Sequence, residues 1–109
     1  MKEDLLKIIE HFGIRNQLKK FNEESFEVIE AILDLQTELT YFEDDDNDFH
    51  KFLKERIKEE IADTMLLLEQ FKLYYGITSE EITNLFWSKV ARTLKRIESG
   101  YYDKQSDNM

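Results

Sequence analysis

The sequence contains no cysteine, no proline and only three glycines among its 109 residues. Without cysteine, the chain can form neither a disulfide framework nor a thiolate zinc site, and it has no cysteine nucleophile. A β-rich fold of this length would need several turns, which are usually built with glycine and proline. The scarcity of both residues therefore predicts an all-α fold.

Long apolar runs and an excess of basic residues are also missing. No window approaches the ~18 uninterrupted apolar residues of a membrane span, and the acid-bearing first twelve residues do not resemble a secretory signal. We therefore expect a cytoplasmic protein that does not contact membranes. Because 24 acidic residues oppose 15 basic ones, for a net charge of −9, the surface should repel phosphate backbones, and we expect no nucleic-acid binding.

Three glycines and one capping motif predict where the helices end and begin. Gly13, Gly76 and Gly100 each follow a stretch with helical periodicity, where a left-handed residue commonly ends a helix. Thr78 stands three residues before Glu81, which is a capping-box spacing. We predict one domain over residues 1–100, with helices near 2–12, 14–39, 50–75 and 78–99, an acidic connector at 43–48 and a polar tail at 101–109.

The two central helices carry more apolar surface than a single short chain can cover. On the second helix the predicted seam is Leu18, Phe21, Ser25, Val28, Ile32, Leu35 and Leu39. The middle of the third helix is apolar on nearly every side, through Ile61, Ala62, Met65, Leu66, Leu67 and Leu68. A helix of this kind is buried on all sides, so we expect a four-helix bundle completed by oligomerisation.

Carboxylates interrupt this apolar pattern at two places. Glu60 falls inside the apolar stripe of the third helix with Asp63 three residues on, and Glu24 and Glu27 flank the seam of the second. Residues three apart are neighbours on a helix, and burying unpaired carboxylates is costly. Basic partners or a divalent cation would relieve that cost, and magnesium prefers such oxygen ligands. With 24 acidic residues, the same spacing also arises by chance on solvated helix surfaces.

The last helix carries a basic stripe, Lys89, Arg92 and Arg96, along one edge of its apolar face. These side chains could pair with acidic residues of neighbouring helices. They could instead hold a polyphosphate whose other oxygens bind a metal, which is the arrangement of phosphoryl-transfer sites.

The two histidines, His11 and His50, do not extend this site. Neither stands three residues after a glutamate, which argues against a di-iron carboxylate bundle. We expect both to be surface or cap residues.

Three segments in this order resemble the all-α, MazG-like nucleoside triphosphate pyrophosphohydrolase superfamily: residues 24–31 (ESFEVIEA), 59–63 (EEIAD) and 89–96 (KVARTLKR). The signature of that superfamily is E-x-x-E, then E-x-x-D, then a lysine and an arginine. The resemblance covers roughly residues 8–102 and is to single-module bacterial or phage members. Two departures are Thr93, where many relatives have asparagine, and a long stretch between Glu27 and Glu60.

The resemblance implies hydrolysis of a non-canonical or deoxynucleoside triphosphate to the monophosphate and pyrophosphate, with magnesium, or alternatively manganese, as cofactor. It implies that Glu24, Glu27, Glu60 and Asp63 are metal ligands, that Glu24 or Glu27 accepts the proton of the attacking water, and that Lys89 and Arg96 contact phosphate, with Arg92 on the same stripe. It also implies a homodimer or homotetramer.

Two other functions remain open at this point. The chain could be a catalytically inactive relative, a helical oligomer that acts as an interaction or regulatory protein and whose carboxylates pair with the basic stripe. Alternatively, it could share the fold but act on phosphoribosyl-ATP. A pyrophosphate-release assay with a panel of nucleotides separates these hypotheses.

Overall fold

The structure, a computed structural model, describes residues 1–41 and 47–103. Four helices follow one another: α1 (Lys2–Phe12), α2 (Ile14–Tyr41), α3 (Asp48–Tyr74) and α4 (Ser79–Glu98). Residues 101–103 are helical as well, and no strand occurs in the described ranges. The all-α prediction is confirmed, with the helix ends within two residues of those predicted. Most of the predicted connector (43–46) and of the polar tail (104–109) lies outside the described residues.

The predicted helix ends have the expected local structure. Gly13 and Gly76 have φ angles of 83° and 68°, in the left-handed region that residues with a Cβ rarely adopt. At the start of α4, the Glu81 backbone N–H donates to Thr78 Oγ1 over 3.1 Å, and the Thr78 N–H donates to Glu81 Oε2 over 3.3 Å. The predicted capping box is therefore confirmed.

Replacing Thr78 with alanine should loosen the first turn of α4. The substitution removes the acceptor for the Glu81 N–H, and loss of an N-cap costs about 1 kcal/mol. Backbone amides of that turn should exchange with deuterium about fivefold faster. Thr83→Ala, in the interior of the same helix, is the control, and equal exchange in the two variants would contradict the assigned cap.

The chain divides into two compact units, residues 1–75 and 76–109. In the first unit, α2 and α3 pack along their length and α1 packs against both. The two long helices are antiparallel, since Gln17 near the start of α2 bonds to Gln70 near the end of α3, whereas Asp34 pairs with Arg56. The second unit contains α4, which has no buried residue.

The face of α2 that packs against α3 overlaps the predicted seam but is displaced from it. The buried residues of α2 are Gln17, Glu24 and Ala31, spaced by seven. Leu18 and Ile32 of the predicted seam are 61% and 41% exposed, whereas its other members are half-buried, namely Phe21, Ser25, Val28, Leu35 and Leu39. The displacement places polar side chains in the interface, where Gln17 bonds to Gln70 and Glu24 joins a carboxylate cluster. Apolar periodicity alone could not predict that choice.

On α3 the buried positions are His50, Leu53, Leu67 and Gln70, whereas Ile61 and Leu68 are exposed. Within the chain, α3 is therefore not buried on all sides. One neighbouring long helix and the short α1 cover only part of its circumference. That partner subunits cover the rest stays a prediction.

The apolar core of the first unit is small. Its buried hydrophobic residues are Ile9, Ala31, Leu53 and Leu67, and Phe21 packs edge-to-face against Phe71 with ring centroids 5.5 Å apart. Core volume is limited because several buried positions are polar.

His50 occupies one of these buried polar positions. It is 0% exposed, so the expectation that it is a surface or cap residue was wrong. The residue that caps the start of α3 is Asn47, whose Oδ1 accepts from the His50 N–H. His50 then lies one turn before Leu53 on the face of α3 that packs inward. His11, by contrast, is exposed as expected.

No helix in the described ranges is long and apolar enough to cross a bilayer.

Candidate metal centre

Three carboxylates of the first unit converge on one point. Glu24, Glu60 and Asp63 each offer an oxygen, and these atoms all lie within 4.8 Å of one another. Glu24 comes from α2, while Glu60 and Asp63 stand three apart on α3, so both side chains reach the same side of that helix. Antiparallel packing of α2 against α3 brings the two sources together. These are three of the four residues that the sequence resemblance implies as metal ligands, the fourth being Glu27, and their binding of a metal stays a prediction.

Burial decreases across the cluster. Glu24 is only 4% exposed, Glu60 is half-buried and Asp63 is exposed. The Oε2 atoms of Glu24 and Glu60 are both buried and have no hydrogen-bond partner in the described part of the chain. A buried carboxylate oxygen without a partner is destabilising unless a positive charge or a donor compensates it. Both oxygens belong to carboxylates of the converging group, and a cation bound there would supply such a charge.

The charges of the cluster act on one another. Burial, together with the neighbouring Glu27 and Glu24 carboxylates, raises the pKa of Glu60 to about 7. Glu24 behaves oppositely, because its hydrogen bond to Lys20 lowers its pKa despite burial. Two carboxylates in one site thus have pKa values displaced in opposite directions, a feature that is common at functional sites.

Glu27, the fourth predicted ligand, is exposed and does not belong to the group of three converging oxygens. It is nevertheless close enough to Glu60 to raise the pKa of that residue. Glu27 therefore lies beside the cluster, one turn after Glu24 on α2.

Lys20 was not predicted as part of the site. Its Nζ atom lies 3.0 Å from Oε1 of Glu24, one helical turn away on α2. The i, i+4 spacing of Lys20 and Glu24 was visible in the sequence, but on an exposed helix face such a pair is common and carries little meaning. The pair becomes part of the site because Glu24 is buried, and that burial results from the packing of the helices.

A cavity of about 350 Å³ opens beside the carboxylates, at the lower end of the range for small-molecule sites. Glu24, Asp63 and Lys20 line one part of it. The remaining lining residues are largely apolar, with one pair of amides: Ile8, Phe12, Gln17, Leu66, Leu67 and Gln70.

The two amides lie one heptad from the carboxylates, since Gln17 precedes Glu24 and Gln70 follows Asp63 by seven residues. This separation is about 10 Å along each helix. Gln17 Nε2 donates to Gln70 Oε1 over 2.8 Å, and Gln70 Nε2 donates to the Leu66 carbonyl over 3.2 Å. The Gln70 amide is therefore held at both ends, and it orients Gln17 at the cavity wall. Neither residue could be predicted from the sequence, because a glutamine within helical periodicity gives no signal.

The amide pair predicts a non-additive response to mutation. Gln17→Leu leaves Oε1 of the fully buried Gln70 without its donor, which should lower the free energy of unfolding by about 1–2 kcal/mol. The double variant Gln17→Leu/Gln70→Leu removes both polar groups. It should lower the free energy of unfolding by less than the sum of the decreases caused by Gln17→Leu and Gln70→Leu alone. Urea denaturation of the four proteins measures this coupling, and strict additivity would contradict the bond.

The predicted phosphate-binding residues lie in the second unit. Lys89 and Arg92 are exposed on α4, and Arg96 is half-buried with its guanidinium carbon 4.7 Å from the ring centroid of Tyr101. Thr93, at the position where many members of the resembled superfamily have asparagine, donates its hydroxyl to the Lys89 carbonyl over 2.8 Å. Contact of these basic residues with phosphate stays a prediction.

The donor set fits a hard divalent cation. Carboxylate oxygens from two helices are ligands that magnesium and manganese accept, and the unpartnered oxygens of Glu24 and Glu60 are the observation that supports the fit. A scan against models of known protein families, a search of curated proteins and a search of solved structures each found no match to this chain.

Proposed function

We propose that this protein is a divalent-metal-dependent nucleoside triphosphate pyrophosphohydrolase of the MazG-like type. The observation that carries the proposal is the convergence of Glu24, Glu60 and Asp63 with two buried oxygens that lack partners. A neighbouring cavity of a size suited to a small molecule supports it. The resemblance in sequence supplies the substrate class.

Each carboxylate then has a definite role. Glu24, Glu60 and Asp63 would hold the cation, which supplies Lewis-acid stabilisation of phosphoryl oxygens and lowers the pKa of water. Glu27 lies beside Glu60 but outside the group of three oxygens, and we assign it the role of proton acceptor. Water attacks the α-phosphorus, the bond from that phosphorus to the bridging oxygen breaks, pyrophosphate leaves, and Glu27 takes the proton of the water.

The cavity beside the cluster would receive the nucleoside. Apolar side chains from Phe12 and Leu66 line it, and Gln17, oriented by Gln70, offers an amide for hydrogen bonding. A pocket with an apolar lining and few oriented polar groups is typical of small-molecule sites. Lys89, Arg92 and Arg96 would contact the phosphates.

Self-association is part of the proposal. Several large apolar side chains of the first unit are more than half exposed, namely Leu18, Phe26, Ile29, Leu33, Phe52 and Met65. A homodimer or homotetramer would bury them. Sedimentation equilibrium measures the assembly, and a monomer at micromolar concentration would contradict this part of the proposal alone.

The test of function is pyrophosphate release from a panel of canonical, modified and deoxynucleoside triphosphates, with magnesium, with manganese and with a chelator. We expect metal-dependent release of one pyrophosphate per monophosphate formed for at least one member. Phosphoribosyl-ATP belongs in the panel, because turnover of that compound alone would assign the related activity. Absence of turnover throughout would overturn the enzyme proposal and favour an interaction protein.

A further inference from the structure

Lys20 lines the same cavity as Glu24 and Asp63 of the carboxylate cluster. Its Nζ atom is 3.0 Å from Oε1 of Glu24, and the two side chains are 53% and 6% exposed. Lys20 is the only basic residue among the described residues that line this cavity. Lys20 therefore pairs with a buried carboxylate of the proposed metal site and lines the cavity next to it.

The negative charges at this site would be stabilised by a basic side chain. Glu24, Glu60 and Asp63, when ionised, carry one more negative charge than a divalent cation neutralises, and Glu27 lies nearby. A phosphate chain brings further negative charge to a partly desolvated place, where repulsion between like charges is strong. Lys20 supplies a positive charge in the first unit itself, on the wall where the phosphates would lie.

The geometry of the ammonium allows it to serve two partners. A lysine has three N–H donors, and in the described part of the chain Glu24 Oε1 takes one of them. The remaining donors can reach phosphate oxygens while the pairing with Glu24 is kept, because lysine binds phosphate as a compact point charge on a flexible stem.

We propose that Lys20 is a substrate-contacting residue that binds phosphate oxygens beside the carboxylate cluster, in addition to the basic stripe on α4. This inference rests on the proposed function for the identity of the ligand. It assigns to Lys20 a role beyond neutralising Glu24. If Lys20 only held Glu24 in place, its loss would weaken metal binding, whereas loss of a phosphate contact would weaken phosphate binding.

The experiment compares wild type with Lys20→Met, Lys20→Arg and Lys19→Met by calorimetric titration, first with Mn²⁺ alone and then with inorganic pyrophosphate at saturating Mn²⁺. Lys19 is the matched control, since it is an exposed neighbour on α2 that does not line the cavity. For Lys20→Met we expect Mn²⁺ affinity equal to or higher than that of wild type, because a competing cation is gone. Its affinity for pyrophosphate should fall about tenfold, equal to about 1.4 kcal/mol.

Lys20→Arg should recover part of the pyrophosphate affinity, and Lys19→Met should match wild type in both titrations. Unchanged pyrophosphate affinity in Lys20→Met would overturn the inference, and so would a loss of Mn²⁺ affinity that accounts for the whole effect, since Lys20 would then only hold Glu24 in place. If wild type binds Mn²⁺ and pyrophosphate but hydrolyses no nucleotide, the proposed function fails while the role of Lys20 in anion binding stands. If wild type binds neither ligand, both are overturned.

Discussion

Replacing Glu60 with glutamine is expected to reduce metal-dependent nucleotide hydrolysis at least a hundredfold, equal to about 2.7 kcal/mol of transition-state stabilisation. Glutamine preserves the shape of the side chain but removes one of the three converging carboxylates. The cation would be held less tightly, and it would be less well placed to stabilise the phosphoryl oxygens. Steady-state kinetics at several magnesium concentrations separate these effects, because weaker binding alone is overcome by more metal.

Glu55→Gln is the matched control for this measurement. Glu55 is an exposed residue of the same helix, in an ion pair with Lys58 on the helix surface, and such pairs contribute little. Its kinetic constants should equal those of wild type. If Glu60→Gln also kept wild-type turnover and metal dependence, Glu60 would not be a ligand and the assignment of the centre would be wrong.

The helices of this protein could be predicted from the sequence because their signals are local. Gly13 and Gly76 end helices through a backbone conformation that the residue type itself permits. Thr78 and Glu81 cap α4 across one turn. None of these features depends on what packs against the helix, so composition and spacing were sufficient.

The buried faces of the helices were harder to predict, because adjacent residues of one helix can each belong to a plausible buried face. Leu18 and Gln17 are neighbours in sequence, yet Gln17 is buried and Leu18 is exposed. Hydrophobicity favours Leu18 in the interface. The bond between Gln17 and Gln70 satisfies two amides at once, and that gain depends on a partner 53 residues away, which periodicity does not register.

The carboxylate centre could be predicted only in part, because the burial of its residues depends on how the helices pack. Glu60 was identifiable because it breaks an apolar stripe, and Asp63 because it stands three residues on. Glu24 was identifiable because it flanks the seam of α2 with Glu27 three residues on, whereas Lys20 gave only the ordinary pattern of a surface ion pair. The significance of Lys20 depends on the burial of Glu24, which results from the packing of α2 against α3.

The stability of the protein without divalent metal is expected to fall as the pH rises from 5 to 8. The pKa of Glu60 is raised to about 7 from an ordinary value of 4.5, so between these values the folded state binds more protons than the unfolded state. Stability then decreases with increasing pH. The penalty therefore develops mainly between pH 4.5 and pH 7 and is largest at higher pH. Glu24, whose pKa is lowered, has its effect below this window.

Urea denaturation of wild type, Glu60→Gln and Glu55→Gln at pH 5, 6, 7 and 8 measures this dependence. The free energy of unfolding of Glu60→Gln should vary less with pH by about 2 kcal/mol over the range, while Glu55→Gln follows wild type. Adding Mn²⁺ should stabilise wild type far more at pH 8 than at pH 5, because a cation binds the ionised carboxylates and competes with the proton. Equal pH dependence in wild type and Glu60→Gln would show that Glu60 does not carry the raised pKa. Equal stabilisation by Mn²⁺ at both pH values would show that the ion binds elsewhere.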